Sequence, residues 1–175
     1  MGRRPQFGKL GDTTKFKGYG IMADANYKAG PATIVFGGAY GSGNKEGSTD
    51  IDALVTSLGH DPHYTFIYEY FVPSAMGAKG TGIANTTYLK AGVKYAATKD
   101  LSVDATGFYL RASKTPSGVS KALGMEADLG ITYKLAANLA YVVKAGYLAA
   151  GDYYKDTTGH DDAAYAVDHF LLVSF

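Results

Sequence analysis

The sequence contains no cysteine, no tryptophan and no apolar run long enough to form a transmembrane helix. Without cysteine, disulfide bonds and thiolate metal sites are excluded. A helix that crosses a bilayer needs about 20 consecutive apolar residues, so a helical span is not expected. Charged residues make up only 19% of the chain, and the net charge of +1 gives no electrostatic reason to expect a nucleic-acid partner.

What the chain does contain is tyrosine (15) and glycine (23), arranged in segments where apolar and polar residues alternate. Period-two alternation is typical of strands with one apolar and one polar face. No segment shows a helical period, and residues 1–14 are predicted to be a tail or loop. The fold class is therefore all-β, an antiparallel meander forming a β-barrel. The predicted strands are about 15–28, 32–41, 86–97, 101–111, 124–135, 139–149 and 164–175.

The two faces of these strands differ in a way that favours lipid outside and water inside. Tyrosines near strand ends, with small aliphatic residues between them, are typical of the aromatic girdles of outer-membrane barrels. A soluble barrel with an apolar interior, which would bind a ligand, is the alternative. The predicted interface aromatics are Tyr27, Tyr40, Tyr95, Tyr109, Tyr133, Tyr147 and Phe175. The predicted lumen-facing charges are Asp24, Lys28, Lys90, Lys94, Asp104, Glu126, Asp128, Lys134 and Lys144.

Connection lengths leave two strand counts open. Tight turns at 29–31, 98–100 and 136–138 alternate with long connections, as in barrels with short periplasmic turns and long outer loops. If 42–85 is one outer loop, seven strands cross the membrane. An odd number does not close a bacterial barrel, so the chain would be the C-terminal part of a larger one. If the alternating segment 63–71 also crosses, the chain forms a closed eight-stranded barrel.

Several segments resemble a known family. These are GIANTTYL at 82–89, VKYAATKDLSVDATGFYLRAS at 93–113, GMEADL at 124–129 and YLAAGDYY at 147–154, followed by the aromatic terminus. Together they resemble the C-terminal part of the alginate-export-like and related porin-like outer-membrane barrels. The resemblance covers roughly residues 80–175 and implies a larger barrel in the outer membrane that conducts solutes. Because the arginines are only Arg3, Arg4 and Arg111, export of a polyanion is not expected.

Clusters that could carry chemistry are few. His60-Asp61-Pro62-His63 and His160-Asp161-Asp162 contain metal-ligand types, but solvated loops explain them better. Neighbouring strand residues point to opposite faces, so Asp168 and His169 do not form a catalytic pair. A histidine facing lipid is costly, and a bulge or register shift is therefore expected near Phe170. No enzyme activity, cofactor or metal is predicted.

The predicted function is that of a porin-like channel for passive passage of small solutes. The alternative is a small closed structural barrel that binds a partner through its loops and does not conduct. The predicted location is the outer membrane of a Gram-negative bacterium. Expected partners are outer-membrane lipid and lipopolysaccharide, the barrel-assembly machinery acting through the C-terminal strand, and N-terminal barrel strands from the same or another chain.

Overall fold

The computed structural model describes residues 2–5, 8–55, 65–69 and 82–175, and most of these lie in antiparallel strands. Eight strands form one sheet in the order β1-β4-β5-β6-β7-β8-β9-β10, and β2 pairs with β3 separately. The predicted all-β, antiparallel meander is therefore confirmed. The elements are β1 (Gly2–Pro5), β2 (Gly8–Leu10), β3 (Thr14–Phe16), β4 (Tyr19–Ala29), β5 (Ala32–Gly41), β6 (Thr86–Ala96), β7 (Leu101–Ala112), β8 (Ala122–Ala136), β9 (Leu139–Ala150), α1 (Asp152–Thr158) and β10 (Ala164–Val173).

Two predictions about local structure were wrong. Residues 1–14 are not simply a tail, because β1 pairs with the start of β4 and β2 begins a short hairpin. These strands have three or four residues, too few to show an alternating pattern. The polar connection after β9 contains α1, a seven-residue helix that ends at Gly159 in the left-handed conformation. Within the described ranges, no helix is long and apolar enough to cross a membrane.

The long connection between β5 and β6 does not contribute the strand that one reading placed at 63–71. In the described part of that segment, Thr65–Glu69, the backbone forms bends and turns. Its N–H groups donate to side chains and form no strand ladder, so the alternating pattern of this segment did not indicate a strand. His60–His63 and residues 70–71 lie outside the described residues.

The first part of the same connection is tied to the β2–β3 hairpin. Phe16 and Ile51 form an isolated bridge, and Asp50 accepts hydrogen bonds from the Lys15 backbone N–H (2.9 Å) and the Lys17 ammonium (2.5 Å). The bond from Lys17 holds the pKa of the Asp50 carboxyl below its ordinary value. Residues 42–55 therefore form an ordered cap beside the hairpin.

The sheet has two unlike faces. The cavity face carries Lys90, Asp104, Glu126 and Asp128 and borders a cavity, whereas the apolar face carries Leu89, Met125 and Val167. Near the ends of β6 and β7 that adjoin the long connections, the cavity face is packed. Its hydrophobic core consists of Ala39, Tyr88, Phe108, Leu110, Ala112, Leu123 and Leu148.

The apolar face is not covered by any described part of the chain. On this face Val93 is 41% exposed, Met125 is 62% exposed and Val167 is 71% exposed. The buried core thus lies entirely against the opposite face.

The last strand has a continuous register, so the expected bulge near Phe170 was wrong. β10 pairs with β9 without interruption from Ala164 opposite Leu148 to Val173 opposite Leu139. His169 lies on the apolar face, where its ring is 5.9 Å from that of Tyr141. The imidazole therefore has an aromatic neighbour on this face, and the register of β10 does not shift. Irregularities occur instead at Leu110/Arg111 and at Lys134/Ala136.

Candidate functional site

The nine predicted lumen charges all lie on the cavity face. The strand register places Asp24, Lys90 and Glu126 in one row across the sheet, with Gly37 and Phe108 between them. A second row contains Lys28, Lys94, Asp104 and Lys144, and Asp128 lies between the two rows. Lys134 lies beside the irregularity at the end of β8 and is exposed.

A cavity of about 540 Å³ borders this face. Five of the nine charged residues contribute to its wall, and Thr65 and Phe66 close one side of it. The volume is in the range of small-molecule sites, which is about 300–1,000 Å³. The wall therefore combines apolar and charged groups around a space that a small solute can occupy. The charged residues in it are Lys90, Lys94, Asp104, Asp128 and Lys144.

One ion pair crosses an entire strand. The Lys90 ammonium lies 2.7 Å from the Asp24 carboxylate, although β5 runs between β6 and β4. The residue between them is Gly37, where a Cβ would come within 2.2 Å of Asp24 Oδ1 and 2.6 Å of Lys90 Cε. The missing side chain therefore provides the space in which the two charged side chains meet.

The second row contains charges of both signs. Lys94 is opposite Asp104, and Lys144 is opposite Asp168 on the last strand. The Lys144 ammonium lies 5.9 Å from the centre of the Phe170 ring, within the range of a cation–π contact. Three lysines and two aspartates line the cavity wall, so charges of both signs face the cavity.

The chain segment Thr65–Glu69, called here the inner segment, lies directly against the cavity face. The Ile67 N–H donates to Glu126 Oε1 (2.5 Å) and the Tyr68 N–H to Glu126 Oε2 (2.8 Å). The Phe66 N–H donates to Asp128 Oδ2 (3.0 Å). Three consecutive backbone donors thus meet two carboxylates that stand two residues apart on β8.

Further contacts fix the inner segment. The Tyr68 hydroxyl is 2.8 Å from Thr86 Oγ1, and the Gly82 N–H donates to the Glu69 carboxylate at 2.9 Å. At Gly146 a Cβ would come within 2.8 Å of Phe66 and 2.9 Å of Ile67, so glycine there lets the segment approach the sheet. Ile67 and Tyr68 also pack against the hydrophobic core.

The predicted interface aromatics lie on the apolar face, with one partial exception. Tyr40 is half-buried, and its ring lies 5.6 Å from that of Tyr19. Phe175 follows β10 and is fully exposed. The remaining five tyrosines are 45–68% exposed: Tyr27, Tyr95, Tyr109, Tyr133 and Tyr147.

Two tyrosines near the core link stability to alkaline pH. Burial raises the pKa of Tyr154, on α1, to about 12, and it also raises the pKa of Tyr68. An unfolded tyrosine ionises near pH 10. The contribution of these residues to stability is therefore complete below about pH 10 and is lost as pH rises toward the folded pKa.

We expect the free energy of unfolding to fall between about pH 10 and about pH 12, as measured by denaturant titration at fixed ionic strength. Tyr154→Phe removes one of the titrating groups, so the stability of this variant is expected to depend less on pH in this window. An equally steep dependence in this variant would contradict the assignment of Tyr154.

Sequence reasoning missed the inner segment. It also missed the two contacts that depend on glycine, the Asp24–Lys90 pair at Gly37 and the approach of the inner segment at Gly146. Nothing in the alternation of 63–71 indicates that its backbone N–H groups face carboxylates on a distant strand. The other candidate cluster is exposed: His160 Nδ1 lies 4.0 Å from Asp162. No group of three or more metal-ligating side chains occurs among the residues that the structure describes.

The fold and this face define an antiparallel β-sheet protein with an uncovered apolar face and a charged cavity wall. Neither a scan against protein-family models nor a search of the curated proteins finds a match to the chain.

Proposed function

We propose that this chain forms part of a β-barrel in the outer membrane of a Gram-negative bacterium, and that the barrel is a porin-like channel for passive passage of small solutes. The observation that carries the proposal is the uncovered apolar face of the sheet, opposite a charged cavity wall. Monomeric soluble proteins rarely expose contiguous apolar patches larger than a few hundred Å². A bilayer accepts such a face, provided that the sheet closes and leaves no unpaired edge in lipid.

Strand lengths and tyrosine spacing support a membrane position. The seven long strands have ten to fifteen residues, and a tilted strand needs about 9–11 to cross a bilayer. Tyr141 and Tyr147 on β9 are six residues apart, or about 20 Å along the strand. Both are exposed on the apolar face, and with the usual strand tilt of about 35–45° they fit within an apolar band about 25 Å tall.

The contents of the cavity face support a barrel of more than eight strands. The interior of an eight-stranded barrel is filled by side chains or holds at most one small ligand. Here the backbone of the inner segment lies against the cavity face, and about 540 Å³ of open space remains beside it. A wider barrel has room for both and for a solute path. Its further strands come from the same or another chain.

The second candidate function is the small closed structural barrel, which the count of eight strands in the sheet favours. β1 runs antiparallel to β4, as a closing strand next to β10 must. However, β1 has four residues and pairs only with Tyr19–Met22. Within the described ranges, the rest of β4 on that side is unpaired, and so is the free edge of β10.

The test is incorporation of the purified, detergent-folded protein into planar lipid bilayers. We expect stepwise conductance, with at most a weak preference between potassium and chloride, because lysines and aspartates both line the cavity wall. Folded protein that inserts but never conducts would contradict the channel and favour the structural barrel. A folded protein in buffer without detergent or lipid would contradict both candidates and favour a soluble ligand-binding barrel.

A further inference from the structure

We propose that Glu126 and Asp128 are positioning residues that hold the inner segment across the interior of the barrel, and that the seated segment sets the size limit for solutes. This inference rests on the proposed channel function. It concerns residues on β8 and a chain segment nearly sixty positions earlier, which the fold brings into direct contact.

The first argument is the fit between donors and acceptors. Both oxygens of Glu126 and one oxygen of Asp128 accept backbone N–H groups from three consecutive residues, Phe66, Ile67 and Tyr68. Two of the three bonds converge on the single carboxyl group of Glu126. The contacts use backbone atoms of the inner segment, so they fix where its chain runs, and Phe66 itself lines the cavity.

The second argument is the burial of Glu126. The residue is 2% exposed, and a buried carboxylate is costly unless hydrogen bonds compensate for its lost water. Among the described residues, the N–H donors that compensate it come from the inner segment. If the inner segment moved away from β8 in a folded barrel, Glu126 would lose these donors. Its burial therefore favours the state in which the inner segment lies against β8.

The third argument is the consequence of moving the segment. Thr65 and Phe66 form one side of the 540 Å³ cavity, so its free cross-section depends on where they lie. Gly146, on the strand next to β8, provides the space that the seated position needs. Asp104 lies in the same cavity wall but, within the described residues, accepts no N–H from the inner segment. It therefore provides a matched control.

The experiment uses the full chain, in which the absence of cysteine allows a single reporter thiol. Ile67→Cys places the thiol on the inner segment, where maleimide labelling in detergent or lipid reports displacement. The double variant Glu126→Gln with Asp128→Asn keeps the side-chain shapes but replaces both carboxyl groups by amides. It also places an amide NH₂ against a backbone N–H of the segment. Conductance in the presence of polyethylene glycols of increasing size gives the size limit.

In the Ile67→Cys background, we expect the double variant to raise the labelling rate about tenfold or more, because hydrogen bonds to the two carboxyl groups are lost. Larger polyethylene glycols are then expected to enter the pore. Asp104→Asn is expected to change neither readout. Glu126→Asp and Asp128→Glu keep a carboxyl acceptor and are expected to stay closer to the labelling rate of Ile67→Cys alone. The heat-modifiable mobility of folded barrels in gels checks that every variant is folded.

If the folded double variant is labelled no faster than Ile67→Cys alone, the positioning role is overturned. The same conclusion follows if Asp104→Asn accelerates labelling equally. If the double variant does not fold, Asp128→Asn alone, which affects one hydrogen bond, gives the same test in milder form. Faster labelling with an unchanged size limit would overturn the claim that the segment sets that limit. If the Ile67→Cys protein labels as expected but never conducts, the channel is contradicted. The labelling rates of the variants still decide whether Glu126 and Asp128 hold the inner segment.

Discussion

Ala91→Lys is expected to destabilise the protein in a bilayer by about 2–4 kcal/mol, the cost of a lysine on the lipid face near the membrane midplane. Ala91 is the middle residue of β6 and is exposed on the apolar face between Leu89 and Val93. The substitution removes almost no packing, so the loss of unfolding free energy reports whether that face lies against lipid or against water. The measurement is the free energy of unfolding by denaturant titration in lipid vesicles.

The matched control is Thr106→Lys, on the neighbouring strand but on the cavity face. There the new ammonium enters a space that already holds Asp104 and Asp128, and we expect a cost well below that of Ala91→Lys. Equal effects of the two variants would contradict a lipid-facing apolar side. A negligible effect of Ala91→Lys would do so as well, because a lysine exposed to water costs little.

Leu110→Ala is expected to lower the free energy of unfolding by about 2–5 kcal/mol, the usual cost of emptying a packed core site. Leu110 has no exposed surface and belongs to the hydrophobic core on the cavity face. The core joins β6, β7 and β8 to the inner segment through Ile67 and Tyr68. The loss should therefore also increase labelling of a cysteine at position 67.

Leu89→Ala is the control for that prediction. Leu89 is 64% exposed on the opposite face, so its truncation leaves no enclosed cavity. We expect a smaller loss of stability, consisting of the transfer term alone. If Leu110→Ala and Leu89→Ala lower the free energy of unfolding equally in lipid, close packing on the cavity face contributes nothing beyond burial.

Much of the sheet could be predicted because its alternation is regular over ten residues or more. β5 was predicted with its observed ends, Ala32 and Gly41, and the other long strands mostly differ by one or two residues at an end. β1 and α1 were missed because four and seven residues are too few to show a period. The segment 63–71 alternates as clearly as a true strand, so the pattern alone could not separate the two.

The charged residues of the site were predictable and their partners were not. Alternation placed Asp24, Lys90 and Glu126 on one face, which the register of the sheet bears out. The Asp24–Lys90 pair depends on Gly37 having no side chain, and the contacts of Glu126 depend on a segment distant in sequence. Such contacts follow from register and loop path, which a single sequence does not specify. The free edges of the sheet likewise could not be derived from strand patterns.

The path of the chain between β5 and β6 also has a consequence for how the molecule assembles. From β6 to β10 every strand pairs with its immediate successor through connections of thirteen residues or fewer, so these contacts are local. Pairing β5 with β6 requires closure of the whole loop 42–85, whose entropic cost rises with loop length. Contacts between distant segments slow folding. The β6–β10 unit should therefore form first, and docking of the β4–β5 hairpin, together with seating of the inner segment, should be the slow step that pulsed hydrogen exchange resolves.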